Sequence, residues 1–303
     1  MFEFIEAEKA NYPIIWMCDR LEVSRASFYR WRKPPDLLAS ASQRRHAMLV
    51  REVFAVYEQA GGRVGRRQIH WMLRNRGIDC AEGTVGAIMR ELGIQAIRVR
   101  AWKQTTTRDP GARTAHIKNH MVDDNGHLDF SSVVPGLRLC GDITYLKTDQ
   151  GWSYLATVID LFNGEIIGWA LDSHMRTDLI VEAFMMARDR GRLAGGKVIF
   201  HSDRGSQYTS GQFQKWCEAN KITQSMGDVG NCWQNAVAES FFSHMKTEMF
   251  HQQSWATRQE LRTAMIEYIE IWYNRQRPHT RASGYPPVHA RDTHNQASQP
   301  LAA

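Results

Sequence analysis

The chain has no apolar run long enough to span a bilayer and no basic-then-apolar leader at its start. A membrane-embedded or exported protein is therefore not expected. Cysteine is sparse as well. Cys18, Cys80, Cys140, Cys217 and Cys232 are odd in number, far apart and never spaced C-x-x-C. That pattern argues against a disulfide frame or a zinc ribbon, and for reduced thiols in a cytoplasmic protein. His116 and His120 stand four positions apart, but no cysteine pair follows them, so a helical surface pair is the simpler reading. There is no internal repeat.

What is present is 303 residues, 43% of them hydrophobic, enough for a sizeable core in two domains or one domain with appendages. Positive charge is unevenly spread. Residues 1–110 hold 19 Lys and Arg against 12 Asp and Glu, while the remainder hold 19 against 20. The basic excess belongs to the N-terminal third and points to a polyanion partner there, with a merely basic soluble surface as the alternative.

Residues 1–35 read as a helix-turn-helix. Pro13 opens one helix, Val23-Ser24 makes a turn, and Ser24 caps a second helix over 25–32 that presents Arg25 and Arg30. A helical hairpin packed on something else has the same pattern. A linker over 36–42 leads to a second helical module, 43–100. Its first helix carries Met48, Val50, Val53, Phe54 and Tyr57, and its second carries Arg66 and Arg67 outward. Arg-rich helix starts suit phosphate contacts, which position a protein without reading sequence. Residues 101–136 form a polar connector. Strands are expected at 138–148, 152–161 and 165–171, with Asn163-Gly164 as a hairpin turn. Helix 177–190, strand 197–201, helix 209–220 and strand 221–226 follow, giving a mixed α/β sheet. After it come an amphipathic helix over 258–274 and a basic span with Arg275 and Arg277, expected to pack back and touch DNA backbone. The residues from His294 look disordered.

Three carboxylates stand out. Asp142 lies in LCGDITYLKTD and Asp203 in KVIFHSDRGSQY, each in or just after a strand-like segment. Glu239 lies in GNCWQNAVAESFFSHMKTE, a loop running into a helix. At 100° per residue Ala238, Phe242, Met245 and Met249 share an apolar face, with Glu239, Ser243 and Lys246 on a neighbouring stripe. A solvated face is the bland account of that stripe. Three converging acids would repel unless divalent metal neutralised them, and oxygen-only ligation suits Mg²⁺ or Mn²⁺. Asp160 reads as a hydrogen-bonded strand aspartate and His201 as a structural histidine. Asn235 and Gln207 are equally caps or orienters of ligands.

With those segments on the page, the chain resembles a DDE transposase of the IS-three insertion-sequence family, the downstream-frame product. The matching pieces are DITYL, HSDRGSQY and GNCWQNAVAESFF, with 35 residues between Asp203 and Glu239 and Lys246 seven beyond the glutamate; VSRASFYRWR, RRQIHWMLRNRGI, VIDLFNGEIIGWA and YNRQRPH extend the match along nearly the whole chain. Leu139 departs from a common Trp and Gln234 from a common Asp. The resemblance implies an RNase H-like core of the retroviral integrase kind over 137–250, behind N-terminal helix-turn-helix modules and ahead of a C-terminal helix and basic tail over 251–303. It implies Asp142, Asp203 and Glu239 as catalytic metal ligands for two Mg²⁺ ions, with Mn²⁺ as a substitute. It implies DNA contacts from Arg25, Arg30, Arg66, Arg67, Lys246, Arg275 and Arg277. The expected partners are double-stranded DNA at terminal inverted repeats and target, further copies of the chain, and an upstream-frame fusion partner, all in the bacterial cytoplasm at the nucleoid. A nuclease without strand transfer and a non-catalytic repressor are the rival readings.

Overall fold

A computed structural model of the protein describes residues 1–33, 40–97, 117–123, 125–227 and 235–298. The first stretch folds as three short helices, α1 (Phe2–Glu8), α2 (Ile14–Arg20) and α3 (Arg25–Arg32). They close around Ile5, Met17, Cys18 and Phe28, all buried. The sequence pattern gives α2 and α3 but not α1, whose seven residues bury only Ile5 and so show no stripe. Ser24 sits at the N-cap of α3 without a side-chain capping bond.

Three further helices form the second module: α4 (Ala41–Gln59), α5 (Arg66–Asn75) and α6 (Glu82–Glu91). Ser40 and Gln43 start α4 with a reciprocal capping box. The inward face of α4 is Leu49, Val53 and Val56, whereas Met48 and Phe54 are 36% and 43% exposed. Of the expected apolar set Val53 is buried and Val50 and Tyr57 pack against the cluster, so only Met48 and Phe54 are corrected. The helix has enough apolar residues for two faces, and only packing against Ile69, Leu73, Val85 and Ile88 selects one.

The sheet has the order β3-β2-β1-β4-β5, with β1 (Arg138–Thr148), β2 (Gly151–Asp160), β3 (Ile166–Asp172), β4 (Val198–Ser202) and β5 (Ile222–Met226). The first three form an antiparallel meander in which Asp142 pairs with Thr157; β4 and β5 join in parallel. One face is covered by α7 (Thr177–Asp189) and α8 (Gly211–Ala219), packed around Leu139, Phe184, Phe200 and Phe213. Gly168 lets β3 and α7 touch: a Cβ there would lie 2.0 Å from the Ala183 carbonyl. The other face is covered by α9 (Ala236–Glu248) and α10 (Arg258–Ile266), whose path continues in wider π-helical turns over Glu267–Tyr273. The second helical module shares one apolar cluster with this face. Arg74 Nη2 donates to Ser283 O at 2.7 Å and Asn75 Nδ2 to Gly284 O at 2.9 Å.

The last described element is α11 (Pro287–Ala297), so the expectation of disorder from His294 is corrected as far as Ala297. Arg291 on this helix is 6% exposed and pairs with Glu165 next to the β2–β3 turn; Asn163 Nδ2 donates to Pro287 O at 2.7 Å. A polar, short helix gives no apolar period to read, and its docking is ionic instead.

Candidate active site

β1 and β4 pair only from Arg138 to Cys140, opposite Ile199 to His201. Beyond Cys140 the two parallel strands part. Asp142 lies in the middle of β1, two residues past the last pair with β4, and Asp203 follows directly after β4, so both acids stand where the two parallel strands part. By strand alternation Asp142 shares a face with Cys140 and Leu146, which belong to the cluster that α9 covers. Gly141 allows the local packing: a Cβ there would lie 2.8 Å from the Phe200 ring.

Glu239 sits in the first turn of α9. The helix is anchored by Ala238, Phe242, Met245 and Met249, all buried as the period requires. Asn235, at its N-cap, makes no capping bond. Its Nδ2 instead donates to the Gly141 carbonyl at 3.3 Å, tying the start of α9 to the residue before Asp142. All three acids are half-buried. Asp142 Oδ1 accepts from Ile143 N at 2.8 Å, and Asp203 Oδ1 from Gly205 N at 3.0 Å.

Burial pushes the Asp142 carboxyl well above the ordinary carboxylate range, and repulsion from Asp203 and, more weakly, Glu239 adds to it against the Ile143 N–H and Lys246. The three acids thus act on one another through a poorly screened region. Among the described residues no three carboxylate, imidazole or thiol groups are already set to ligate one ion, so they share a field before they share a coordination sphere. The donor set is nevertheless all carboxylate oxygen, short of positive charge, and it fits a hard divalent cation.

Lys246 reaches the same region. Its Nζ stands 5.1 Å from the centre of the Tyr145 ring, burial lowers its pKa, and Asp142 opposes that shift. Of the other expected DNA contacts, Arg25, Arg30, Arg67 and Arg275 are exposed, and Arg66 is exposed but paired with Glu82 at 2.8 Å. Arg277 must be corrected. It is 8% exposed, and its Nε and Nη2 both donate to Glu248, which also accepts from Tyr268 Oη and Trp272 Nε1. A guanidinium locked bidentate on a buried carboxylate is unavailable to phosphate.

The two decoys are structural. Asp160 is 1% exposed and accepts from Gly136 N and Phe162 N; His201 is buried with Nδ1 2.9 Å from Ser225 Oγ. Gln207 is half-buried beside Ser206. Each described cysteine is a buried free thiol. His116, Cys232 and Gln234 lie outside the described residues. Two features went unread in the sequence: Tyr208, buried next to Asp203, and the exposed edge-to-face pair of Tyr145 and Trp152, centres 5.4 Å apart. Tyr208 was visible as the last letter of HSDRGSQY.

Comparison with known proteins follows the same division of the chain. Family profiles described as integrase core domains match residues 133–232 and 220–287, and one described as an HTH-like domain matches 43–102. The transposase InsF for insertion sequence IS3A of Escherichia coli (strain K12) is 34% identical over 287 residues, covering 94% of this chain and 96% of that protein. A 31 kDa protein of insertion element IS600 from Shigella sonnei is 30% identical over 285 residues, covering 92% and 99%. Among solved structures, the HTLV-2 integrase catalytic core domain in complex with magnesium superposes with a TM-score of 0.41 at 16% identity, over 53% of this chain and 99% of that one. A simian T-cell lymphotropic virus intasome gives 0.45 at 16%, over 79% and 73%.

Proposed function

The chain belongs to the IS3-type insertion-sequence transposases with an integrase core, and from that premise we propose that Asp142, Asp203 and Glu239 are the ligands of two divalent cations at its catalytic centre. What supports the assignment is that the three acids come from β1, from directly after β4 and from the first turn of α9, and that Asp203 and Glu239 both push the Asp142 carboxyl upward. Such cations, Mg²⁺ or Mn²⁺, supply charge neutralisation and a lowered water pKa at neutral pH.

The residues of the chain do the remainder. Asp142 presents its carboxylate from within β1 and Asp203 from directly after β4. Glu239 closes the set from a helix whose position Asn235 fixes through Gly141. Lys246, on the same side as Asp142, offers a cation to the DNA backbone next to the scissile phosphate. A phosphodiester at the end of the element is hydrolysed to free a 3′-OH, which then attacks a phosphorus of target DNA, forming a new phosphodiester as a target 3′-OH leaves, with no covalent protein intermediate. Arg25 and Arg30 on α3, and Arg66 and Arg67 on α5, serve the terminal repeats, with Arg275 as a further backbone contact. Two ends must meet, so the working form is an oligomer with twofold symmetry as the default. An upstream-frame product is its expected fusion partner. On this reading the protein works in the bacterial cytoplasm on chromosomal DNA.

The test is Mg²⁺-dependent cleavage and joining on the DNA that flanks the gene. Glu239→Gln and Asp142→Asn should each lower cleavage by about 10³-fold or more, because removing a ligand forfeits several kcal/mol of charge stabilisation. DNA binding should survive. Substantial cleavage by either variant refutes the assignment. Hydrolysis without joining of pre-cleaved ends would identify a nuclease, and a biological effect untouched by Asp142→Asn a repressor.

A further inference from the structure

The β1–β2 hairpin carries two large rings that the core does not use. Tyr145 and Trp152 are 45% and 47% exposed, with ring centres 5.4 Å apart and planes at 84°. They are not directly opposite. Tyr145 pairs with Tyr154 and Trp152 with Lys147, so the ring contact is diagonal. A diagonal aromatic pair steadies a hairpin. Bracing accounts for the contact between the rings, but not for so much ring surface left in water.

Two elements lead from the acids to this pair. Tyr145 is three residues beyond Asp142 on β1, about 10 Å at strand rise. Lys246 is seven residues beyond Glu239 on α9, about 10 Å at helical rise. The two paths meet, since Lys246 Nζ stands 5.1 Å from the centre of the Tyr145 ring. Alternation puts Tyr145 on the opposite side of β1 from Asp142. Among the described residues, however, β1 has no pairing with β4 past Cys140, so Lys246 meets the ring across a bare strand edge.

The surroundings are cationic. Lys147, cross-strand from Trp152, is exposed, and a Cβ on Gly151 would lie 3.2 Å from Arg258 Nη2. Asp149, in the turn, is the one acid between Asp142 and Asp160. Open rings interleaved with cations suit a polyanion that carries flat aromatic groups, which is the chemistry of a DNA strand. A ring can stack only on a base whose own face is uncovered, so the base must be out of the duplex.

We propose that Tyr145 and Trp152 form a stacking site for unpaired bases of the DNA strand next to the cut, with Lys246, Lys147 and Arg258 serving its phosphates. The strand then runs from the acids over the bare edge of β1 toward the hairpin turn. The inference rests on Asp142 and Glu239 marking where DNA is cut.

The experiment measures binding of the full chain, in EDTA, to two forms of the DNA flanking the gene. One is fully paired at the end of the element. The other has a few unpaired bases there, one of them 2-aminopurine. Wild type should bind the unpaired end about 5–150-fold more tightly, the range that one stacked base carries, and should quench the 2-aminopurine. Trp152→Leu keeps the bulk without the ring and should lose both effects, with affinity for the paired end unchanged. Trp152→Phe should keep most of both. Melting temperatures establish that each variant is folded, and the wild-type comparison decides by itself should Trp152→Leu not fold. Equal binding of the two ends by wild type overturns the proposal, as does a preference that survives Trp152→Leu. A smaller oligomer for Trp152→Leu by light scattering, with the preference intact, would assign the rings to a contact between copies and overturns it too. Asp142→Asn in Mg²⁺ separates this inference from the one beneath it. If that variant still cuts, the catalytic assignment has failed; if it binds the unpaired end as wild type does without cutting, while Trp152→Leu shows no loss of preference, only the stacking site has failed.

Discussion

Asp142 and Asp160 lie on adjacent strands, three register pairs apart, and both carboxyls are driven upward by burial. Their surroundings give them opposite uses. Asp142 bears the repulsion of Asp203 and Glu239 against a single backbone N–H, a setting that bound cations would relieve. Asp160 meets Gly136 N and Phe162 N at 2.8 and 2.9 Å, and these donors make it a turn-holding residue. Its carboxyl is pushed up to about 7, with Glu165 adding to the burial and Arg291 opposing. An unfolded carboxylate titrates near 4, so the folded state binds this proton more tightly; its contribution to stability is complete below about 4 and is lost as pH rises through about 7. The melting temperature of Asp160→Asn should accordingly lie below wild type at pH 5, since one amide oxygen replaces two acceptors, and the gap should narrow by pH 8. A gap that widens with pH would contradict the assignment. At this scale the sequence is informative where charge is anomalous: an aspartate inside a strand pattern announces itself, but its partners do not. Lys246 follows from spacing alone. Lys246→Ala should reduce the salt dependence of DNA-end binding by about one counterion, read as the slope of log K against log salt.

At the scale of elements, the helix α9 is the most legible. Its period fixed the buried face, and that face fixed which stripe could carry Glu239 and Lys246. The strands and their turns were equally readable, because alternation and glycine at Gly151 and Gly164 mark them locally. Where the pattern failed, a long-range polar contact decided the outcome. Nothing near Arg277 in the sequence signals Glu248, and a basic run looks the same whether it meets phosphate or a buried carboxylate. The two arginines of that run now separate. Arg277→Ala leaves Glu248 buried and unpaired, which should cost about 3–5 kcal/mol in denaturant unfolding. Arg275→Ala should leave stability within about 0.5 kcal/mol and weaken DNA binding uniformly across sequences. Equal effects on stability would mean that Arg277 is not the structural member of the pair.

The whole molecule has two kinds of junction. The three N-terminal helices close on their own small cluster, whereas α4–α6 share a core with the catalytic face and are stitched to it by Arg74, Asn75 and Arg63, the last 5.4 Å from the Trp272 ring. Deleting residues 1–33 should therefore leave the main melting transition within a few degrees in calorimetry while lowering affinity for the terminal repeats. A large loss of stability would show that α1–α3 brace the remainder. Composition and charge gave the division into a basic leading part and an α/β body. They could not give the shared core, because an apolar side chain carries no label for the element it will meet.

That stitching spans 209 positions from Arg74 to Ser283. A ribosome adding about 5–20 residues per second needs on the order of 10–40 s to travel the distance. During that interval the second helical module waits without its final support, and the segments bearing Asp142, Asp203 and Glu239 are made before the segment that completes the clasp. The protein able to cut the DNA it was read from is thus assembled only after residues far apart in the order of synthesis have both emerged.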